Sequence, residues 1–177
     1  MRKITVVAIL MIVIAGFAFQ SCSKDNSLEK LRQSELELLG EFVAKYNTEH
    51  GVELEPSVSG LYYVEVEAGV GDTIVPGDKI QVWYNTYLLV DTSLVDSNME
   101  AGHKFNPLEF IVTDPGNSSV VEGLNEAVKN MRAEGKSFLI VPSQIAYGQD
   151  GRSGIPSFAT LLFDIEIYKV FRAVDAN

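Results

Sequence analysis

Residues 142–167 read PSQIAYGQDGRSGIPSFATLLFDIEI. The stretch leaves one apolar run at Pro142 and enters another at Ala159. Between them Gly148, Gly151 and Gly154 permit tight reversals, and Pro156 fixes its own φ. Tyr147 and Ile155 are large side chains within this excursion. The returning segment is rich in β-branched and aromatic residues, as a strand is. A β region interrupted in this way has a loop with more to do than turn the chain.

Outward from that loop, the chain from Gly60 has the texture of an α+β domain. GLYYVEVEAG (60–69) alternates apolar and polar residues, and KIQVWYNTYLLV (79–90) does so for most of its length. VPGD (75–78) between them is a turn in which Pro76 sets φ and Gly77 follows. LEFIV (108–112), KSFLIVP (136–142) and ATLLFDIEIYKVF (159–171) are further strands. VEGLNEAVKNMRAEG (121–135) is the one helix of this half; Val121, Leu124, Val128 and Met131 form its stripe, and Gly135 sits past its end. Several antiparallel strands and one short helix predict a curved sheet wrapped around that helix.

The N-terminus carries an address. Arg2 and Lys3 precede ITVVAILMIVIAGFAF (4–19), and QSC follows. A basic start, an apolar middle on the short side for a membrane span, and a small residue before the break make an export signal. The pattern resembles a bacterial lipoprotein signal. That resemblance implies a signal peptide over 1–21 and lipidation of Cys22, anchoring the chain to a membrane of the bacterial envelope, periplasmic or outer. An uncleaved anchor is the other reading, and both place the remainder outside the cytoplasm. Cys22 is the only cysteine, so no intrachain disulfide forms.

Residues 22–59 then read as a tether and a helix. SKDNS (23–27) is polar. Leu28, Leu31, Leu38, Leu39, Phe42, Val43 and Tyr46 recur at helical spacing, predicting an amphipathic helix from about Leu28 to about Glu49. Ser27 suits its start and Gly51 its end. No heptad is sustained, which favours packing on its own domain over a dimerisation arm.

Composition and motif spacing exclude several functions. Asp+Glu number 24 against Lys+Arg 14, a net charge of −10, which repels phosphate backbones and speaks against nucleic acid. His50 ends the helix and His103 lies in a loop, neither with a serine or aspartate at a triad's spacing. Asp91, Asp96, Glu100 and His103 fit no standard metal-ligand spacing and read as solvated loop residues. GVGDTI (69–74) lacks the third glycine and following helix of a phosphate loop. The chain has no obvious reactive group.

Four segments resemble the FKBP family of peptidyl-prolyl isomerases. GLYYVEVEAGVGDTIVPGDKIQVWYNTYL matches its first strands and places Tyr84 at the pocket tyrosine. SLVDSN places Asp96 at the pocket aspartate. SSVVEGLNEAVKNM matches the strand end and helix of the pocket floor. IAYGQDGRSGIPSFATLLFDIEI, the most specific, matches the loop over the pocket. Together they cover roughly two thirds of the chain and imply an FKBP-like domain over 60–172, with the N-terminal helix as an extra.

The resemblance implies an isomerase of X–Pro bonds that acts on proline-containing polypeptides and needs no cofactor and no metal. It assigns catalysis to Tyr84, Asp96, the Val121 N–H and the Tyr147 hydroxyl. It assigns substrate binding to Val95, Leu108, Phe110, Val120, Leu124, Ile155 and Phe163. Val95, Leu108 and Leu124 stand where the family usually has aromatic residues. Ile145 replaces a frequent aromatic or leucine, Arg152 a histidine and Ser157 a second proline. These departures imply a wider apolar pocket, weakened isomerase activity and poor binding of macrolide inhibitors. They also keep open a second reading, a non-catalytic peptide-binding module on the same scaffold.

Overall fold

The computed structural model describes residues 23–99 and 106–173. The export signal, Cys22, Glu100 and His103 lie outside the described residues. Helix α1 runs from Ser23 to His50. It begins before the predicted start, because SKDNS holds no glycine or proline to break the helical register. It ends as predicted at Gly51, whose φ is 65°. The Val52 N–H reaches back to the Asn47 carbonyl at 3.2 Å, closing the helix with a Schellman turn.

The chain divides within α1 into two compact units, Met1–Ser34 and Glu35–Asn177. The described part of the first is helical, with Gln33 Nε2 donating to Glu29 Oε1 at 2.7 Å. The second holds the sheet. Its strands are β1 (Tyr62–Glu67), β2 (Lys79–Leu88), β3 (Leu94–Ser97), β4 (Leu108–Ile111), β5 (Lys136–Val141) and β6 (Leu161–Phe171), with the short helix α2 (Glu122–Ala127) between β4 and β5. The order is β1-β5-β6-β2-β3, with β4 also on β2. Every pairing is antiparallel. β2 and β6 pair along their whole lengths, from Lys79↔Phe171 to Leu88↔Leu161. The other edge of β2 is shared, with β4 against Lys79–Val82 and β3 against Asn85–Tyr87.

The sheet has two covered faces. Ile80 and Val82 of β2, Leu139 and Val141 of β5, and Phe163, Ile165 and Ile167 of β6 pack with Leu124 and Ala127 of α2. On the opposite face Ile140 and Leu162 meet Leu39 and Val43 of α1. Each such side chain contributes about 1.5–3 kcal/mol on burial. Covering both faces explains why β5 and β6 carry the runs FLIV and LLF rather than strict alternation.

α2 is shorter than its apolar stripe predicts. A 3-10 turn, Val128–Asn130, follows it, and Met131 is extended. The reason is tertiary. The Ala133 carbonyl accepts from Val70 N at 2.7 Å, Glu134 N donates to the Ile167 carbonyl at 2.9 Å, and Ile167 N donates to Gly135 O at 2.9 Å. These sheet-end bonds take the residues a longer helix would need, so Gly135 belongs to the sheet and not to a helix cap.

The residues just past β6 are latched to the turn before β2. Asp78 is 1% exposed. Its carboxylate accepts from Val75 N at 3.1 Å, Ala173 N at 3.1 Å and Arg172 Nη1 at 2.7 Å. Arg172 also donates to the carbonyls of Thr73 and Asp72, at 2.9 and 2.6 Å. Burial alone raises the Asp78 pKa; the two N–H groups and the guanidinium more than offset this and hold it below the ordinary 3.8. Arg172→Ala is expected to lower stability by about 3 kcal/mol, read as a lower urea midpoint at neutral pH. The ionised Asp78 stabilises the fold above pH 3.8 and loses that effect as pH falls through its folded value. The stability gap between wild type and Asp78→Asn is therefore expected to close below about pH 4; a gap equal at neutral and acid pH would refute the latch.

Candidate functional site

Tyr84 and Thr86 stand two apart on β2, on the face turned to α2. Thr86 pairs with Phe163 and Tyr84 with Ile165, so Phe163 is the diagonal neighbour of Tyr84. On the other edge Thr86 pairs with Asp96, and a register shift follows at Tyr87. The Tyr84 hydroxyl donates to Asp96 Oδ2 at 3.0 Å. Burial, then the hydrogen bond to Asp96 and its negative charge, push the Tyr84 pKa up to about 12. The phenol therefore stays protonated and acts as the donor.

Asn98 fixes this corner and escaped the sequence reading. Its Oδ1 accepts from Tyr84 N at 2.7 Å, and its Nδ2 donates to the Val82 carbonyl at 3.0 Å. Its own N–H donates to Tyr84 O at 3.2 Å. The amide supplies the edge of β2 with the partners it needs where β3 runs out. The signal for it is an asparagine just past a short strand, where backbone groups otherwise go unpaired.

The floor is α2 and its entry. Val121 is extended, with φ −59° and ψ 140°, and the first helical residue follows it. At a helix start the N–H groups have no carbonyl four residues back to bind. Asn125, 1% exposed, anchors the helix: Oδ1 accepts from Thr113 N at 3.0 Å and Nδ2 donates to Thr113 O at 3.1 Å. Leu124 is turned into the core and onto the site.

The remaining wall is the loop between β5 and β6. Its two ends are tied to Glu35 of α1, which is 5% exposed. Glu35 accepts from Ser143 N at 2.7 Å, Ser143 Oγ at 2.8 Å and Thr160 Oγ1 at 2.9 Å. Within the loop Phe158 N donates to Gly148 O at 2.9 Å, and Arg152 and Ile155 exchange N–H bonds of 2.9 and 2.8 Å. Gly151 has φ 63°, and a Cβ there would lie 2.5 Å from the Ile155 carbonyl oxygen, so no other residue fits. At the loop's tip Arg152 Nη1 donates to the Tyr147 hydroxyl oxygen at 2.9 Å, and the guanidinium carbon lies 5.5 Å from the Tyr147 ring centroid.

These elements enclose a cavity of about 710 Å³. Tyr84, Val95, Asp96, Leu108, Val120, Val121, Leu124, Tyr147, Ile155 and Phe163, all singled out from the sequence, line it. Phe110 does not: it is 5% exposed, pairs with Ile80 and belongs to the core behind the wall. Thr86, Ser119, Glu122, Ala146, Arg152 and Ser153 line the cavity and were not assigned from sequence. Among the described residues no three His, Cys, Asp or Glu side chains group as metal ligands would.

A family model for "FKBP-type peptidyl-prolyl cis-trans isomerase" matches residues 71–168. The chain belongs to that family. The FKBP-type peptidyl-prolyl cis-trans isomerase FkpA of Escherichia coli (strain K12) is 33% identical over 163 residues, which are 90% of this chain and 56% of that protein. This FKBP chain thus spans 56% of the length of that relative. The FK506-binding protein of Neisseria meningitidis serogroup B is 33% identical over 115 residues, 64% of this chain and 99% of that one. The crystal structure of FkpA from Escherichia coli superposes with a TM-score of 0.69 at 32% identity, covering 93% of this chain and 72% of that one. The fold is the FKBP fold with an added N-terminal helix.

Glu35→Ala strands the two donors of Ser143 and the one of Thr160 in a buried place. It is expected to cost about 3 kcal/mol, and Glu35→Gln, which keeps an acceptor, clearly less. Urea unfolding of the two variants checks this; equal midpoints for wild type and Glu35→Ala would show that the anchor does not hold the loop.

Proposed function

We propose that this chain is a peptidyl-prolyl cis-trans isomerase acting on X–Pro bonds of exported polypeptides. The observation that carries it is a cavity with an apolar wall, rimmed by two tyrosine hydroxyls and an aspartate. Rotation about an X–Pro amide faces a barrier of about 18–20 kcal/mol, because the C–N bond has partial double-bond character. The twisted amide has lost resonance, and its carbonyl is less polar than in the planar state. An apolar wall of Val95, Leu108, Leu124, Ile155 and Phe163 prefers the twisted form, and preference for the transition state is sufficient for catalysis.

The chain's own groups then hold the substrate. The Tyr147 hydroxyl donates to the carbonyl of the residue before proline, and the Val121 N–H to the prolyl carbonyl. Asp96, held by Tyr84, forms the polar rim where the amide turns. Positioning of this kind supplies part of the rate. Val95, Leu108 and Leu124 leave the wall without three aromatic rings, so the rate is lower than an aromatic pocket gives and macrolide ligands bind poorly. The same three residues favour the second reading, a module that binds proline-containing peptides without isomerising them.

The test is a protease-free isomerisation assay on short X–Pro peptides with the chain from Ser23 onward. Catalysis above background is expected, with Tyr147→Phe reduced about fivefold, the effect of one hydrogen bond of about 1 kcal/mol. Folded protein that binds the peptides without accelerating their exchange would establish the module instead. We infer also that Cys22 is lipidated and holds the chain at a membrane of the envelope, on the lipoprotein-like signal before it. Cys22→Ala is expected to move the full chain from the membrane to the soluble fraction; retention in the membrane would point to an uncleaved anchor.

A further inference from the structure

Among the described residues that line the cavity, Arg152 is the one cation. It belongs to an acidic chain of net charge −10. Its place is fixed, since one face lies over the Tyr147 ring and one Nη1 proton is given to the Tyr147 hydroxyl. A guanidinium carries five N–H donors in a planar fork that matches a carboxylate. One is used by Tyr147, and the side chain is exposed at the mouth of the cavity. The hydroxyl oxygen that accepts from Arg152 keeps its own proton for the substrate. Arg152 therefore stands next to the atom that holds a substrate carbonyl, within reach of the side chain attached to that carbonyl's residue.

We propose that Arg152 is a specificity-determining residue that makes this pocket favour proline preceded by glutamate or aspartate. The inference rests on the peptide-binding reading of the cavity given above. Two carboxylates also line the cavity, and each has a local partner: Asp96 accepts from the Tyr84 hydroxyl, and Glu122 Oε1 accepts from Gly116 N at 3.0 Å. They repel an acidic substrate through water and salt, over which fields fade within about 8 Å at physiological ionic strength. The fork of Arg152 meets the substrate carboxylate at hydrogen-bond distance, where paired N–H···O contacts outweigh a screened charge.

The experiment uses four peptides that differ only in Glu, Gln, Leu or Lys before proline. Isomerisation rate and peptide affinity are measured for wild type, Arg152→Gln and Arg152→Lys, at low and high salt. Glu over Gln by about threefold is expected for wild type at low salt, the scale of an exposed ion pair. The ratio should shrink at about 1 M salt, where the screening length is about 3 Å. It should fall to unity in Arg152→Gln and lie between in Arg152→Lys, which keeps the charge and loses the fork. A ratio unchanged in Arg152→Gln would overturn the assignment, and so would a preference for Lys over Glu, which would give control to Asp96. If no peptide is isomerised, the isomerase reading fails. The affinity ratio of Glu to Gln peptides then decides the role of Arg152 by itself.

Discussion

A buried carboxylate holds the site together. Glu35 lies on α1, yet its three described partners flank the loop between β5 and β6, at Ser143 and Thr160. A buried charge is unfavourable by several kcal/mol unless hydrogen bonds satisfy it. Both ends of the loop must therefore be in place for the helix to dock, and the helix must be docked for the loop ends to be closed. Tyr147 and Ile155, which wall the cavity, hang from those ends. Glu35, Leu39 and Val43 are spaced four apart and lie on one stripe of the helix. The polar anchor and the apolar contacts with Ile140 and Leu162 thus belong to one interface.

The sheet transmits this constraint. β6 starts directly after Thr160 and pairs with β2 over its full length. Phe163, the diagonal neighbour of Tyr84, is thereby fixed relative to both the loop and the β3 corner. On the far side Asn98 and Asn125 do for β2 and α2 what Glu35 does for the loop, each joining two segments through one buried amide or carboxyl group. These three joints set the β3 corner, the floor and the loop, and none of the three residues lines the cavity itself.

Much of the fold was legible. Alternation in 60–69 and 79–90 gives β1 and β2, and the spacing of Leu39, Val43 and Tyr46 gives α1. All the assigned cavity residues but Leu108 lie in the four FKBP-like segments, where elements end and side chains converge. What was not legible has a common cause. A glutamate within an amphipathic helix reads as a solvated residue, since charged side chains are rarely buried; only the positions of Ser143 and Thr160, over a hundred residues on, make Glu35 internal. Phe110 was assigned to substrate binding by the FKBP resemblance. It shares the strand face of Leu108 but is 5% exposed and belongs to the core behind the cavity wall. The end of α2 is set by sheet bonds at Ala133, Glu134 and Gly135 that no local propensity encodes.

The two tyrosines of the cavity look alike in sequence and are opposite in chemistry. Tyr84 donates a hydrogen bond to a carboxylate, and its pKa of about 12 shows how firmly the phenol keeps its proton. Its donor is committed, and what it offers the cavity is a ring and a partly shielded anion. Tyr147 accepts a hydrogen bond from a guanidinium, which draws charge from its oxygen and makes its own O–H a better donor. A cavity with one hydroxyl turned to an anion and another backed by a cation is polar in one direction only. Its loop side thus presents a hydroxyl backed by a cation, and its β3 side a carboxylate.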